Sequence, residues 1–218
     1  MLVGWTFEID FLKRIVPGYV FMNPTAATAF VLASIALWFF NGSNNNLRRL
    51  ARLLAAIVAF AGLAKLCAIV GLHDIGIDRI FFSGQLLDKV TGQANQMAPQ
   101  TALNFLLLGT ALLLLDVRTK RGRDLYLLQY SAIIVILFSF LAVIGYVYGA
   151  KSLYVSVSFN PMALHTAVSF LLLAVGLLLS SPERGIIKEL FSADAGGEIA
   201  RRLFPINIKT TLNEKISN

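Results

Sequence analysis

Apolar residues in this chain gather into five long blocks separated by polar or charged stretches. The blocks run from about Pro24 to Phe40, Leu50 to Leu72, Pro99 to Leu115, Leu125 to Tyr148 and Pro161 to Ser180. Each approaches the ~20 residues a helix needs to cross the core of a bilayer. The first, third and fifth are short, which suits a thin membrane or an entry segment buried in protein. The pattern predicts an all-α membrane protein: a five-transmembrane-helix bundle over residues 22–180, with an amphipathic segment before it (1–21) and an amphipathic tail after it (181–218).

Three of the five blocks open on one pattern. The copies are Met22-Asn23-Pro24-Thr25-Ala26-Ala27-Thr28-Ala29-Phe30, Met97-Ala98-Pro99-Gln100-Thr101-Ala102-Leu103-Asn104-Phe105 and Met162-Ala163-Leu164-His165-Thr166-Ala167-Val168-Ser169-Phe170. In the third copy the proline is Pro161, ahead of the methionine. The implied unit is motif, span, basic turn, returning span and outer loop, giving two full units and half of a third. Units sharing one orientation predict pseudo-symmetric packing about an axis near the membrane normal. Proline suits a helix start because its missing N–H would lack a partner there anyway. The small residues behind it, Ala26 and Ala27, Thr101 and Ala102, Thr166 and Ala167, let helices approach closely in lipid.

Composition agrees with the blocks. Hydrophobic residues make up 57% of the chain and charged residues 14%, with a mean hydropathy of +0.72; a soluble domain carries roughly a quarter charged residues. The net charge of +7 sits in clusters. Arg48, Arg49 and Arg52 follow the first span, Arg118, Lys120, Arg121 and Arg123 the third, and Arg184, Lys188, Arg201 and Arg202 the fifth. If five spans alternate, all three clusters share one face, and the positive-inside rule makes it cytoplasmic. The N-terminus, the 71–98 loop and the 149–160 loop then lie outside. Nothing interleaves bases with aromatics in the way a nucleic-acid face would, so no nucleic-acid partner is expected. The expected partners are the lipid bilayer and other membrane chains or a second copy. Residues 2–20 are too charged to span and read as an interfacial helix on the outer surface.

The candidate chemistry lies at the motif's polar positions. Gln100 and Asn104, and likewise His165 and Ser169, are four apart and share a helical face about one turn inside the outer boundary. Lipid offers them neither partners nor water, so they are expected to face the bundle interior, either as interhelical hydrogen bonds or as a ligand pocket. The only two histidines, His73 and His165, both fall near the outer face. As a pair they would suit axial ligation of haem or a shared transition metal; otherwise they are core or interfacial side chains. Asp74 and Asp78 beside His73 read either as a cation site or as loop charges. The single cysteine, Cys67, lies in an apolar run and forms no intrachain disulfide. No phosphate loop, carboxylate pair or nucleophile–base set is present, so no enzymatic activity is expected. The spans are expected to bury no Asp, Glu, Lys or Arg of the sort that ion-coupled transport uses.

The run Met97-Ala98-Pro99-Gln100-Thr101-Ala102-Leu103-Asn104-Phe105-Leu106-Leu107-Leu108-Gly109 resembles the N-terminal membrane regions of bacterial signalling proteins. So do Gly76-Ile77-Asp78 with Phe81-Phe82, Pro161-Met162-Ala163-Leu164-His165-Thr166-Ala167, and Arg184-Gly185-Ile186. The likeness extends from about Trp5 to Pro205. Such regions precede PAS, histidine-kinase or diguanylate-cyclase modules and are membrane-associated sensor domains. The resemblance implies a sensory or anchoring role in the bacterial inner membrane and supplies no ligand. Members of the group continue into a further span and an output module, whereas residues 206–218 are polar. The leading expectation is a sensor or input domain reading a ligand or membrane state at an outer-side cavity lined by Gln100, Asn104, His165, Ser169 and His73. The alternatives are a structural or assembly subunit of a larger membrane complex and a haem-binding electron-transfer subunit.

Overall fold

The computed structural model describes residues 2–7, 9, 20–72, 76–77, 96–116, 123–149 and 161–180. Among these residues the chain is all-helical, without strands. A short α1 (Leu2–Thr6) precedes α2 (Pro24–Asn41), α3 (Asn45–Ile69), α4 (Pro99–Asp116), α5 (Arg123–Val147) and α6 (Leu164–Leu179). Three of these helices have stretches long and apolar enough to cross a membrane: Pro24–Asn41, Asn45–Ile69 and Tyr126–Val147. Pro99–Leu115 and Leu164–Leu179 are shorter apolar helices. Large apolar side chains such as Phe60, Phe140 and Leu172 stand exposed around the bundle, a surface suited to lipid rather than water. Length and composition thus suit the chain to a membrane.

The helix boundaries follow from local chemistry. Asn23 caps α2 by accepting the Thr25 N–H at 2.9 Å, with Pro24 at the first helical position. Asn44 does the same for α3, accepting from Asn46 N–H at 2.9 Å. This cap starts α3 five residues before the expected Leu50 and carries Arg48, Arg49 and Arg52 into its first two turns. At the other end Gly71 turns into the left-handed region (φ 80°). Its N–H bonds the Ala68 carbonyl, and the Leu72 N–H reaches back to Cys67; this closes α3 with a glycine-type cap.

Inside the bundle α2, α4 and α6 touch one another, forming a central trio. The longer α3 lies against both α2 and α4, and α5 lies against both α4 and α6. Ala33, Ala36, Ala111 and Ala174 are fully buried in the core, consistent with small residues bringing helix backbones together in lipid. The segments entering the trio are also tied down. Trp5 is buried, donates its indole N–H to the Met22 carbonyl at 3.0 Å and meets Phe21 edge-on. Tyr146 at the end of α5 donates its hydroxyl to the Met162 carbonyl at 2.7 Å. Tyr146→Phe removes one buried hydrogen bond and orphans that carbonyl, so it is expected to cost about 1–2 kcal/mol in a micellar unfolding titration. A loss below a few tenths would mean water replaces the phenol.

Residues 1–21 and 181–218 fall largely or wholly outside the described residues, and so do Asp74, Asp78 and most of the 71–98 loop. One expectation is corrected. Lys65, in the penultimate turn of α3, is 8% exposed, so a charged side chain is buried within a predicted span. It lies near the helix end, where a long aliphatic stem can bury itself while its ammonium meets a polar partner.

Candidate functional site

The three copies of the motif start the three central helices, and their last residues meet. Phe30, Phe105 and Phe170 form a closed ring of contacts, with centroids 4.8, 4.7 and 4.6 Å apart and interplanar angles of 58°, 59° and 63°. Such tilted arrangements bring ring edges to ring faces, the favourable sense of the aromatic quadrupole. Met22, Met97 and Met162 are buried above them.

One turn above the ring a shallow cleft opens between the N-terminal ends of α2, α4 and α6, with a cavity of about 10 Å³ at its base, room for one water. Its wall is drawn from matching offsets in the three copies. Ala26, Thr101 and Thr166 form the deepest tier, then Asn23, Ala98 and Ala163, then Phe21, Gln96 and Pro161 at the rim, with Met97 between. Residues four apart share a helical face. Ala26 therefore lies over Phe30, Thr101 over Phe105 and Thr166 over Phe170, so the aromatic ring floors the cleft. Two threonine hydroxyls and the Asn23 and Gln96 amides supply donors and acceptors over an apolar floor, an arrangement suited to one water-sized polar group.

The expected site residues take different places. Gln100 and Asn104 precede Thr101 and Phe105 by one residue, so they sit about 100° around α4 from the cleft. Asn104 is fully buried and donates its amide to the Ser139 hydroxyl of α5 at 3.3 Å; its Oδ1 has no partner. Gln100 and Ser169 are half-buried. His165 is 7% exposed with Nε2 unpaired. These four residues flank the central trio and do not line the cleft. The corresponding residue of α2, Thr25, donates to the Ile77 carbonyl at 3.0 Å. His73 lies outside the described residues, and with it the suggested haem-ligating pair. Among the described residues no group of three His, Cys, Asp or Glu side chains could hold a metal.

The chain matches no family model, no curated protein and no solved structure.

Ser139 and Gln129, both buried on α5, and Lys65 on α3 are polar residues that sequence reasoning did not single out. Ser139 carried no signal, because its role depends on the register between α4 and α5. Lys65 did carry one: it is a lone charge in an apolar run.

Proposed function

We propose that this chain is a five-span input domain of the bacterial inner membrane, with its N-terminus outside, its basic turns in the cytoplasm and no catalytic role. It would be built from two and a half copies of one helical unit. It reads a small polar ligand, or the state of the outer leaflet, at the end of the central trio. One observation carries the reading: a single recess is walled by the same offsets of three helices, so one occupant there touches α2, α4 and α6 together. An occupant that prefers one arrangement of the trio shifts the equilibrium between arrangements, which is the thermodynamic requirement for an input. The central helices then carry the change to their far ends beside the basic turns. The resemblance to membrane regions of signalling proteins supports the same reading.

The test is to wedge the cleft and watch the far end. In a Cys67→Ala background, Thr101→Cys is alkylated with N-ethylmaleimide while spin labels at Asn41 and Ser180 report the spacing between the ends of α2 and α6. A change of about 1–2 Å is expected, the scale of helix shifts in switching proteins. An unchanged distance distribution with full alkylation would sink the input role. A second reading, an assembly subunit, is favoured by a different observation: among the described residues no helix covers the α2–α6 side of the central trio.

A further inference from the structure

Each central helix has two flanks beside its axis-facing stripe, and among the described residues four of the six flanks are covered by α3 and α5. On α4, Ala102, Leu106 and Gly109 lie against α3, the backbones so close that Gly62 of α3 would place an added Cβ 2.5 Å from Ala102 O and Leu106 N. The other flank of α4 carries Asn104 against Ser139 of α5. Helix α3 also covers one side of α2, and α5 one side of α6. The remaining two flanks belong to α2 and α6, which touch each other through Phe30 and Phe170 and through Leu37 beside Gly176. Together they make one groove.

The residues of that groove are exposed where their counterparts are covered. Leu106, Gly109 and Leu113 of α4 are half-buried, buried and half-buried. Val31, Ser34 and Trp38 hold the same offsets in α2; Val31 is 46% and Trp38 74% exposed, and Ser34 is exposed too. Leu32 and Leu107 are half-buried, but Leu172 at the same offset in α6 is 72% exposed. At the outer end of this flank His165 is buried with Nε2 unpaired, at the offset where Thr25 of α2 has a partner.

We infer that the α2–α6 groove receives one membrane-spanning helix of a partner chain, placed as α3 and α5 are placed in the other two gaps. Those two helices define the occupant's chemistry: apolar, running antiparallel to the central helix it follows, with Gly, Ala or Ser toward the groove and a hydrogen-bonding side chain near its outer end. Residues 181–218 follow α6 as α3 follows α2, but Arg184, Lys188, Glu189, Asp194, Glu198, Arg201 and Arg202 make them too charged for a span. The inference rests on the membrane reading of the bundle and is independent of any ligand at the cleft.

The probe is a synthetic peptide of the α5 sequence, Arg123–Val147, carrying a dansyl acceptor, added to the full chain in phosphatidylcholine vesicles. Energy transfer from tryptophan, measured in a Trp5→Phe background so that Trp38 is the donor, is expected to saturate near one peptide per chain. Ser34→Trp fills the groove and is expected to weaken binding about tenfold, the equivalent of ~1.4 kcal/mol of helix contact; its binding is read by displacement of the labelled peptide. Phe60→Trp on the exposed outer face of α3, away from the groove, serves as the control and is expected to leave binding unchanged. Transfer that rises linearly with peptide, or equal effects of the two variants, overturns the proposal. So does self-association of the chain that Ser34→Trp abolishes while the peptide fails to bind, since the occupant would then be a second copy. Carbonate extraction run beside it separates the premises: a chain stripped from the vesicles refutes the membrane reading, whereas an inserted chain that binds no peptide refutes only the docking.

Discussion

Phe105→Ala is expected to destabilise the folded bundle by about 3–5 kcal/mol, measured by reversible unfolding in mixed dodecylmaltoside and dodecyl sulfate micelles. Phe105 is fully buried and touches both other rings of the trio, at 4.8 and 4.7 Å. Lipid cannot refill the space, because the ring lies where three helices meet rather than on the outer surface. The loss is therefore a void bordered by Phe30 and Phe170, both held by their own backbones. Phe105→Leu keeps most of the volume and is expected to cost less than half as much. Phe105→Ala combined with Phe170→Ala should cost less than the two singles added, since each removes one shared contact. A single-variant cost below about 1 kcal/mol would mean that the helices close over the gap and that the ring does not hold the trio together.

Much of this arrangement is legible from the residue pattern, and the part that is not has a physical reason. The apolar blocks mark the five long helices to within a few residues, because caps and breakers such as Asn23, Asn44 and Gly71 act locally. What the pattern leaves open is the direction in which each helix points its stripes. A 100° step per residue makes Gln100 and Asn104 share a face, yet says nothing about whether that face meets the axis or a neighbour. The polar character of those positions drew the functional reading to them, and the structure puts the cleft one residue further on, at Ala26, Thr101 and Thr166. A better pointer was present in the same motif. Its last residue is phenylalanine in all three copies while the polar positions vary, and a large ring repeated at one offset marks the face where copies meet one another. The Asn104–Ser139 bond was out of reach for a different reason, since it depends on the relative height of two helices joined by a turn.

The second large effect is expected where described glycines let two helix backbones approach most closely, between α3 and α4. A Cβ added at Gly62 would lie 2.5 Å from both Ala102 O and Leu106 N, and one added at Gly109 would lie 2.5 Å from Ala59 N. The obstructing atoms are mostly backbone, so no side-chain rotation relieves them and the two helices have to separate. Gly62→Ala and Gly109→Ala are each expected to cost about 3 kcal/mol, the upper part of the range for overpacked interiors, although alanine favours a helix over glycine by ~1 kcal/mol. The sign is thus set by the neighbour and not by propensity. Gly176 supplies the contrast: its added Cβ would meet only the Leu37 side chain, at 3.5 Å, an ordinary contact. Gly176→Ala is accordingly expected to be neutral or stabilising by up to ~1 kcal/mol. Because Gly62 and Gly109 act across one interface, the double variant should cost less than the sum: helices already forced apart by one methyl have room for the other. Equal costs at all three glycines would show that backbone flexibility, and not closeness of approach, is what these positions require.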